Sequence, residues 1–343
     1  MRSATTENRL IRWTLYLAMA GGVGLFTALL VYQGFGEILR GVGAVGWGLV
    51  LIVGIRLVAL SIAGLGWGLA IRPVVQRPVR LLVGLRIVRE AINCLLPAAQ
   101  IGGDLIGGRL LAHTGVPPGL AMAGILVDVL LQTVTQGAFA LIGVAVLWFG
   151  FGDGPVVREL GWGVVAAVPA LGGFFMAQRF GLFAIVDRSL SALRRFWPGL
   201  GLERPLDLQP SLQRLYAAPG ALGLAALVHL LAWLLGTAEI WLALSRMGAS
   251  PSLAEALVLE SLGQAVRSAG FAVPGALGIQ EGGFILLGSL FGLEPAAAVA
   301  LSLVKRLPDL AIGLPGLFYW QALEAARLQA VTTAPSPPPA GAT

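Results

Sequence analysis

The sequence predicts an all-α polytopic integral membrane protein, with about six spanning helices plus two re-entrant helical hairpins in an inverted repeat. Three observations predict it. The 343 residues are 57% hydrophobic and only 12% charged, with a mean hydropathy of +0.85, whereas a soluble domain carries about 25% charge. Six apolar runs reach the roughly 20 residues that cross a bilayer. A proline-led, glycine-rich motif containing a carboxylate occurs twice within apolar sequence.

The elements follow in order. Residues 1–12 hold Arg2, Arg9 and Arg12 and form a cytoplasmic N-terminus. The first span, 13–32, is read as uncleaved: Ala18-Met19-Ala20 resembles a signal-peptidase site, but apolar sequence continues to Tyr32. The second span covers 45–70. Residues 81–112 are apolar but interrupted by Arg86, Arg89, Glu90, Pro97 and Asp104, the pattern of a re-entrant hairpin. The span 119–149 closes a first membrane repeat, 13–149. The second repeat, 160–320, consists of span 160–178, a cytoplasmic loop 179–218, span 219–245, a hairpin 252–292 and span 295–320. Glu255, Glu260, Arg267, Pro274 and Glu281 interrupt that second hairpin. Two ordinary short spans are the alternative to each hairpin. Residues 330–343, rich in Pro and Ala toward their end, form a disordered tail.

Arginine bias orients the chain. Segments 1–12, 71–80 and 179–214 hold twelve arginines, and 33–44, 150–159 and 246–252 hold three. The first group is therefore cytoplasmic, which puts both termini inside and opens the two hairpins to opposite faces. Within 179–218 the stretch Arg188 to Arg204, with Phe196 and Trp197, is either a surface segment on the anionic inner leaflet or a plain solvated loop.

The doubled motif supports the same repeat. Leu96-Pro97-Ala98-Ala99-Gln100-Ile101-Gly102-Gly103-Asp104 is matched by Val273-Pro274-Gly275-Ala276-Leu277-Gly278-Ile279-Gln280-Glu281. The acid falls seven residues after each proline, and Gly115 and Gly292 fall eighteen after it. Twenty-four residues beyond each acid, Asp128 and Lys305 interrupt an apolar helix. Bilayers tolerate broken backbone only where it is buried in protein or lines a cavity. Paired breaks in two repeats are a pointer to a transporter-like site.

Charges inside apolar spans are functional candidates by default. Asp128 and Lys305 fall near mid-span, and Lys305 is the one lysine against 22 arginines. They are expected to belong to one electrostatic unit, with an ion pair of Asp128 to Lys305 or Arg306 as the purely structural reading. At the hairpins, half-helix N-termini and glycines suit a phosphate or carboxylate. Arg89, Arg109 and Arg267 offer bidentate contacts to phosphate, and Asp104 and Glu281 accept an amine, carry a proton, or satisfy those arginines. The expected substrate-binding set is Arg89, Glu90, Asn93, Pro97, Gln100, Asp104, Arg109, Asp128, Arg267, Pro274, Gly278, Gln280, Glu281, Lys305, Arg306 and Asp309. Gly64, Gly66 and Gly68 read as close helix contacts.

Several classes are excluded. One cysteine, Cys94, and two isolated histidines, His113 and His229, supply no metal cluster. No cofactor is expected. The pI near 10.4 reflects loop arginines rather than nucleic-acid binding. Gly102-Gly103-Asp104-Leu105-Ile106-Gly107-Gly108 lacks the Lys-Ser/Thr of a phosphate loop. No catalytic triad is visible, so no catalytic residue is assigned and the chain is not read as an enzyme.

At these motifs the sequence resembles the flippase-like membrane-domain family of lysylphosphatidylglycerol synthases. Pro274-Gly275-Ala276-Leu277-Gly278-Ile279-Gln280-Glu281 is similar to that family's Pro-Gly-Gly-Leu-Gly-x-x-Glu segment. Asn93-Cys94-Leu95-Leu96-Pro97 followed by Gly102-Gly103-Asp104 resembles its first segment. The family's usual early arginine and acid are replaced there by Ala-Gln-Ile-Gly-Gly-Asp, as in the hopanoid-biosynthesis-associated branch. The resemblance spans most of 10–325 and implies handling of a membrane lipid in a bacterial inner membrane. The aminoacyl-transferring domain is not expected, so lysyl transfer is not implied. Three readings follow: a lipid translocator for a hopanoid-related lipid or a phospholipid, a membrane-embedded transferase using Asp104 or Glu281 as base, and a scaffold whose partners are lipid-biosynthesis enzymes.

Overall fold

The structure, a computed structural model, describes residue 27 and residues 35–96, 102–152, 208–270 and 273–333. The expected spans 13–32 and 160–178, most of the 179–218 loop, residues 334–343, Pro97 and Gln100 lie outside the described residues. The described residues are all-helical. The helices are α1 (Phe35–Val45), α2 (Gly48–Ile71), α3 (Val79–Leu95), α4 (Gly102–His113) and α5 (Pro118–Phe151) in the first half. They are α6 (Leu208–Tyr216), α7 (Pro219–Arg246), α8 (Leu253–Ala269), α9 (Ile279–Ser289) and α10 (Pro295–Thr333) in the second.

Local chemistry sets many of these boundaries. Proline opens α5 and α7 at their first turns, where its missing N–H costs nothing. Ser252 caps α8 in a reciprocal box with Glu255. Between α8 and α9 the chain makes a single 3-10 turn, Pro274–Ala276, in which Gly275 takes φ +66° and Gly278 follows at φ +79°. Glycine adopts those angles without a Cβ penalty. The first copy of the motif likewise separates α3 from α4.

Three helices among the described residues are long and apolar enough to cross a membrane: α2, α5 and α7. The expected span 295–320 lies within α10, which runs 39 residues with Pro308 and Pro315 inside it. It is not one of those three. It continues to Thr333, so the stretch expected as tail from 330 begins as helix. The loop expected over 179–218 contains α6, whose Leu208, Leu212 and Leu215 are buried.

The helices pack in corresponding ways in the two halves. Helix α3 lies on α2, α4 and α10; in parallel, α8 lies on α7, α9 and α5. Helices α2 and α7 pack on each other, and α6 on α5 matches α1 on α10. Among the described residues the buried apolar side chains gather in two main cores, each drawing on helices of both halves. One gathers Trp67, Ile71, Leu85, Leu111, Ala123 and Leu212; the other gathers Ile240, Leu259, Phe284, Leu287, Leu301 and Val304. Large apolar side chains such as Trp47, Phe149, Leu227 and Phe318 remain exposed, a surface matched to lipid rather than water.

Candidate functional site

Two buried charge clusters sit where the interrupted helices meet the long ones. In the first, Arg89 of α3 is the hub. Its Nη1 donates to Asp128 Oδ2 at 2.7 Å, and its Nε and Nη2 donate to Asp104 Oδ1 at 2.9 and 2.6 Å. The guanidinium lies over the Trp67 ring, 4.9 Å from its centroid. Gln132 donates to the same Asp128 oxygen at 2.8 Å and accepts from Arg86 at 2.9 Å. Arg86 also donates to Glu90 at 3.1 Å. From α7, His229 places Nε2 3.0 Å from Asp128 Oδ1. Glycine makes this possible. A Cβ at Gly107 would lie 2.5 Å from Arg89 Cγ, and one at Gly66 would lie 2.9 Å from His229 Nε2. Gly66 thus makes a close contact; it also leaves room for an imidazole.

The second cluster centres on Lys305 of α10. Its Nζ donates to Glu260 at 2.7 Å and to Glu239 at 3.1 Å, with all three side chains buried. Gln264 donates to Glu260 at 2.9 Å. Arg56 of α2 lies 3.4 Å from Glu239 and 3.9 Å from Asp309. Arg267 donates to Asp309 at 3.2 Å.

These contacts correct the expected pairing of Asp128 with Lys305 or Arg306. Asp128 accepts from Arg89 and Gln132 through Oδ2, while its Oδ1 lies beside His229 without a hydrogen bond; Lys305 is satisfied by two glutamates from the neighbouring α7 and α8. Arg306 instead donates to Glu281 through Nε and Nη2, at 3.0 and 2.9 Å, and to the Gly275 carbonyl at 2.8 Å. Glu281 also accepts from Ser302 at 2.8 Å and from the Gly278 N–H at 2.7 Å. Its carboxylate therefore fastens the second break to α10. The same bonds use the N–H expected to face a ligand there. At the first break the Gly103 N–H donates to Asn93 at 2.8 Å. Arg109 donates to Glu324 of α10 at 3.0 Å.

Between the two clusters lies a polar cavity of about 260 Å³. Arg56 enters from α2; Arg86, Glu90, Asn93 and Cys94 from α3; Asp104 from α4. Helix α5 contributes Val129, Gln132, Thr133 and Gln136, α7 contributes Trp233, and α8 contributes Gln264, Arg267 and Ser268. Gly275 of the second break completes it. Of the residues expected from sequence, Glu90, Asn93, Asp104 and Arg267 line this space. Arg89, Asp128, Lys305, Asp309, Arg306, Glu281, Gln280, Gly278 and Arg109 are not among its lining residues. The stripe Gln132, Thr133 and Gln136 went unread, although three polar side chains at helical spacing in an apolar span are a signal. Arg86, four residues before the expected Glu90 on one helix face, was read as interrupting the hairpin but not as a site residue.

The fold and this interior define an integral membrane protein that keeps charge and hydrogen-bonding groups inside an apolar helical shell. The chain matches the lysylphosphatidylglycerol synthase TM region family over residues 17–316, and it belongs to that family, a class of membrane proteins related to lipid metabolism. Comparison with curated proteins and with solved structures returns no match. Among the described residues no group of three or more His, Cys, Asp or Glu side chains is placed to hold a metal ion.

Proposed function

We propose that the protein moves an amphipathic membrane lipid between leaflets, the head group passing through the polar cavity while the tails stay in the bilayer. The observation that carries this reading is a 260 Å³ polar cavity inside an apolar bundle, reached by both interrupted segments. Arg56, Arg86 and Arg267 approach it from three helices, and the Arg86 Nε and the Arg56 Nε have no hydrogen-bond partner. Such donors suit a phosphate-bearing head group, whose oxygens guanidinium groups match. A hopanoid-related lipid with a polar head and a phospholipid are the two cargo classes.

The matching packing of the two halves supports an inverted repeat, with α3–α4 and α8–α9 as re-entrant hairpins opening to opposite faces. Helices α3, α4, α8 and α9 have 17, 12, 17 and 11 residues. At 1.5 Å per residue each leg is about 16–26 Å long, short of a ~30 Å hydrocarbon core. Six spans and an inner-membrane position with both termini cytoplasmic complete this reading.

The test is a leaflet-resolved assay in proteoliposomes carrying fluorescent phosphatidylglycerol or fluorescent phosphatidylcholine. Wild type accelerates exchange of the anionic probe. Arg86→Gln and Arg267→Gln slow it by about tenfold, roughly the value of one charged hydrogen bond, and affect the zwitterionic probe less. Exchange no faster than in empty vesicles overturns the reading.

A further inference from the structure

We infer that the Asp128–His229 pair is a proton-binding site, linked through Arg89 to the cavity, so that a proton and an anionic head group favour each other's binding. The linkage rests on the head-group reading above; the proton site itself does not.

Charge counting leads to it. Around Lys305 the charges close: Arg56, Arg267 and Lys305 stand against Glu239, Glu260 and Asp309. Arg306 and Glu281 close as a separate pair. Around Asp128 they do not. Arg86 and Arg89 face three carboxylates, Glu90, Asp104 and Asp128. An uncompensated charge in a membrane interior is costly. Two further titratable groups touch this set among the described residues: Cys94, whose thiol donates to Glu90 at 3.4 Å and brings no positive charge, and His229, 1% exposed, whose Nε2 lies 3.0 Å from Asp128 Oδ1, with neither atom engaged in a hydrogen bond. One proton on that pair makes the cluster neutral.

Among the described residues, the elements packed against α7 offer no other charged partner at this proton. Helix α5 brings Asp128, and α2 brings the bare backbone of Gly66. The charges of α2, α8 and α10 that reach α7 turn to Glu239 instead: Arg56 and Lys305 contact it, and Glu260 is held by Lys305. The Arg40 side chain of α1 is exposed.

Arg89 makes the connection to the cavity. It is fully buried and bridges Asp128 to Asp104, and Asp104 lines the cavity. Loss of the proton leaves two carboxylates sharing one guanidinium and adds negative charge beside the cavity. A phosphate entering there is then repelled. Linkage is reciprocal, so phosphate binding draws the proton in.

Two measurements test this. The sequence has two histidines, so a ¹⁵N-histidine-labelled His113→Gln variant in nanodiscs reports on His229 alone. The expected spectrum near neutral pH is that of an imidazolium, lost when Asp128→Asn is added. A neutral imidazole in the first variant overturns the proton site. Calorimetry with dihexanoylphosphatidylglycerol then follows binding in buffers of different ionisation enthalpy. Wild type binds about tenfold more tightly when the site is protonated, with proton uptake; His229→Gln binds with less than about twofold dependence on pH. Binding by wild type that ignores pH overturns the linkage. No binding at any pH overturns the head-group reading and the linkage with it, and leaves the imidazolium spectrum to decide the proton site.

Discussion

Replacing Lys305 by Met removes the ammonium that serves two buried glutamates. Glu239 keeps Arg56 at 3.4 Å, but Glu260 keeps only the Gln264 amide. Both carboxylates are at most 1% exposed, so water does not substitute. Breaking a buried pair by removing one partner costs about 3–5 kcal/mol, because the other charge is stranded. The loss corresponds to a drop on the order of 5–10 °C in melting temperature. Neutralising the stranded acid in Lys305→Met/Glu260→Gln recovers about 1–3 kcal/mol of it, the coupling expected of groups in contact. Asp128→Asn shares no partner with Lys305, so its effect adds to that of Lys305→Met. Intrinsic-fluorescence melting of the single and double variants in nanodiscs measures all of these. Recovery by Asp128→Asn in place of Glu260→Gln refutes the pairing and restores the single electrostatic unit expected from sequence.

Two further outcomes follow from the packing. In a Cys94→Ser background, His113→Cys and Glu294→Cys, both at exposed helix ends, react with impermeant maleimide from opposite faces of the membrane; labelling from the same face sinks the inverted repeat. Gly107→Val drives a side chain into the Arg89 stem, 2.5 Å from where a Cβ would sit. It lowers stability by about 1–3 kcal/mol, seen as an earlier melt, whereas Gly220→Ala, with open space around it, leaves the melt unchanged.

Much of this protein was readable from the chain because the relevant physics is local. Membrane-length apolar runs located α2, α5 and α7 to within a few residues. Proline and glycine at 97–103 and 274–278 located the breaks between α3 and α4 and between α8 and α9, since a residue without an N–H or without a Cβ acts on its own turn. The charges at 89, 104, 128, 281 and 305 were recognised as interior because each interrupts a long, largely apolar stretch. Which charge meets which was another matter. Arg89 reaches Asp128 across 39 residues, and Lys305 reaches Glu239 across 66. Those pairings depend on how α5, α7 and α10 are rotated about their own axes, a quantity fixed by ridge-and-groove packing and by glycines such as Gly66 and Gly107 rather than by any local pattern. The cavity has the same origin. Its lining comes from six helices, each giving one to four side chains, so no single stretch of sequence contains enough of it to be seen. Sequence determined that charges would be buried in this bundle; only the tertiary packing decided that Asp128 would face an arginine and a histidine while Lys305 faced two glutamates.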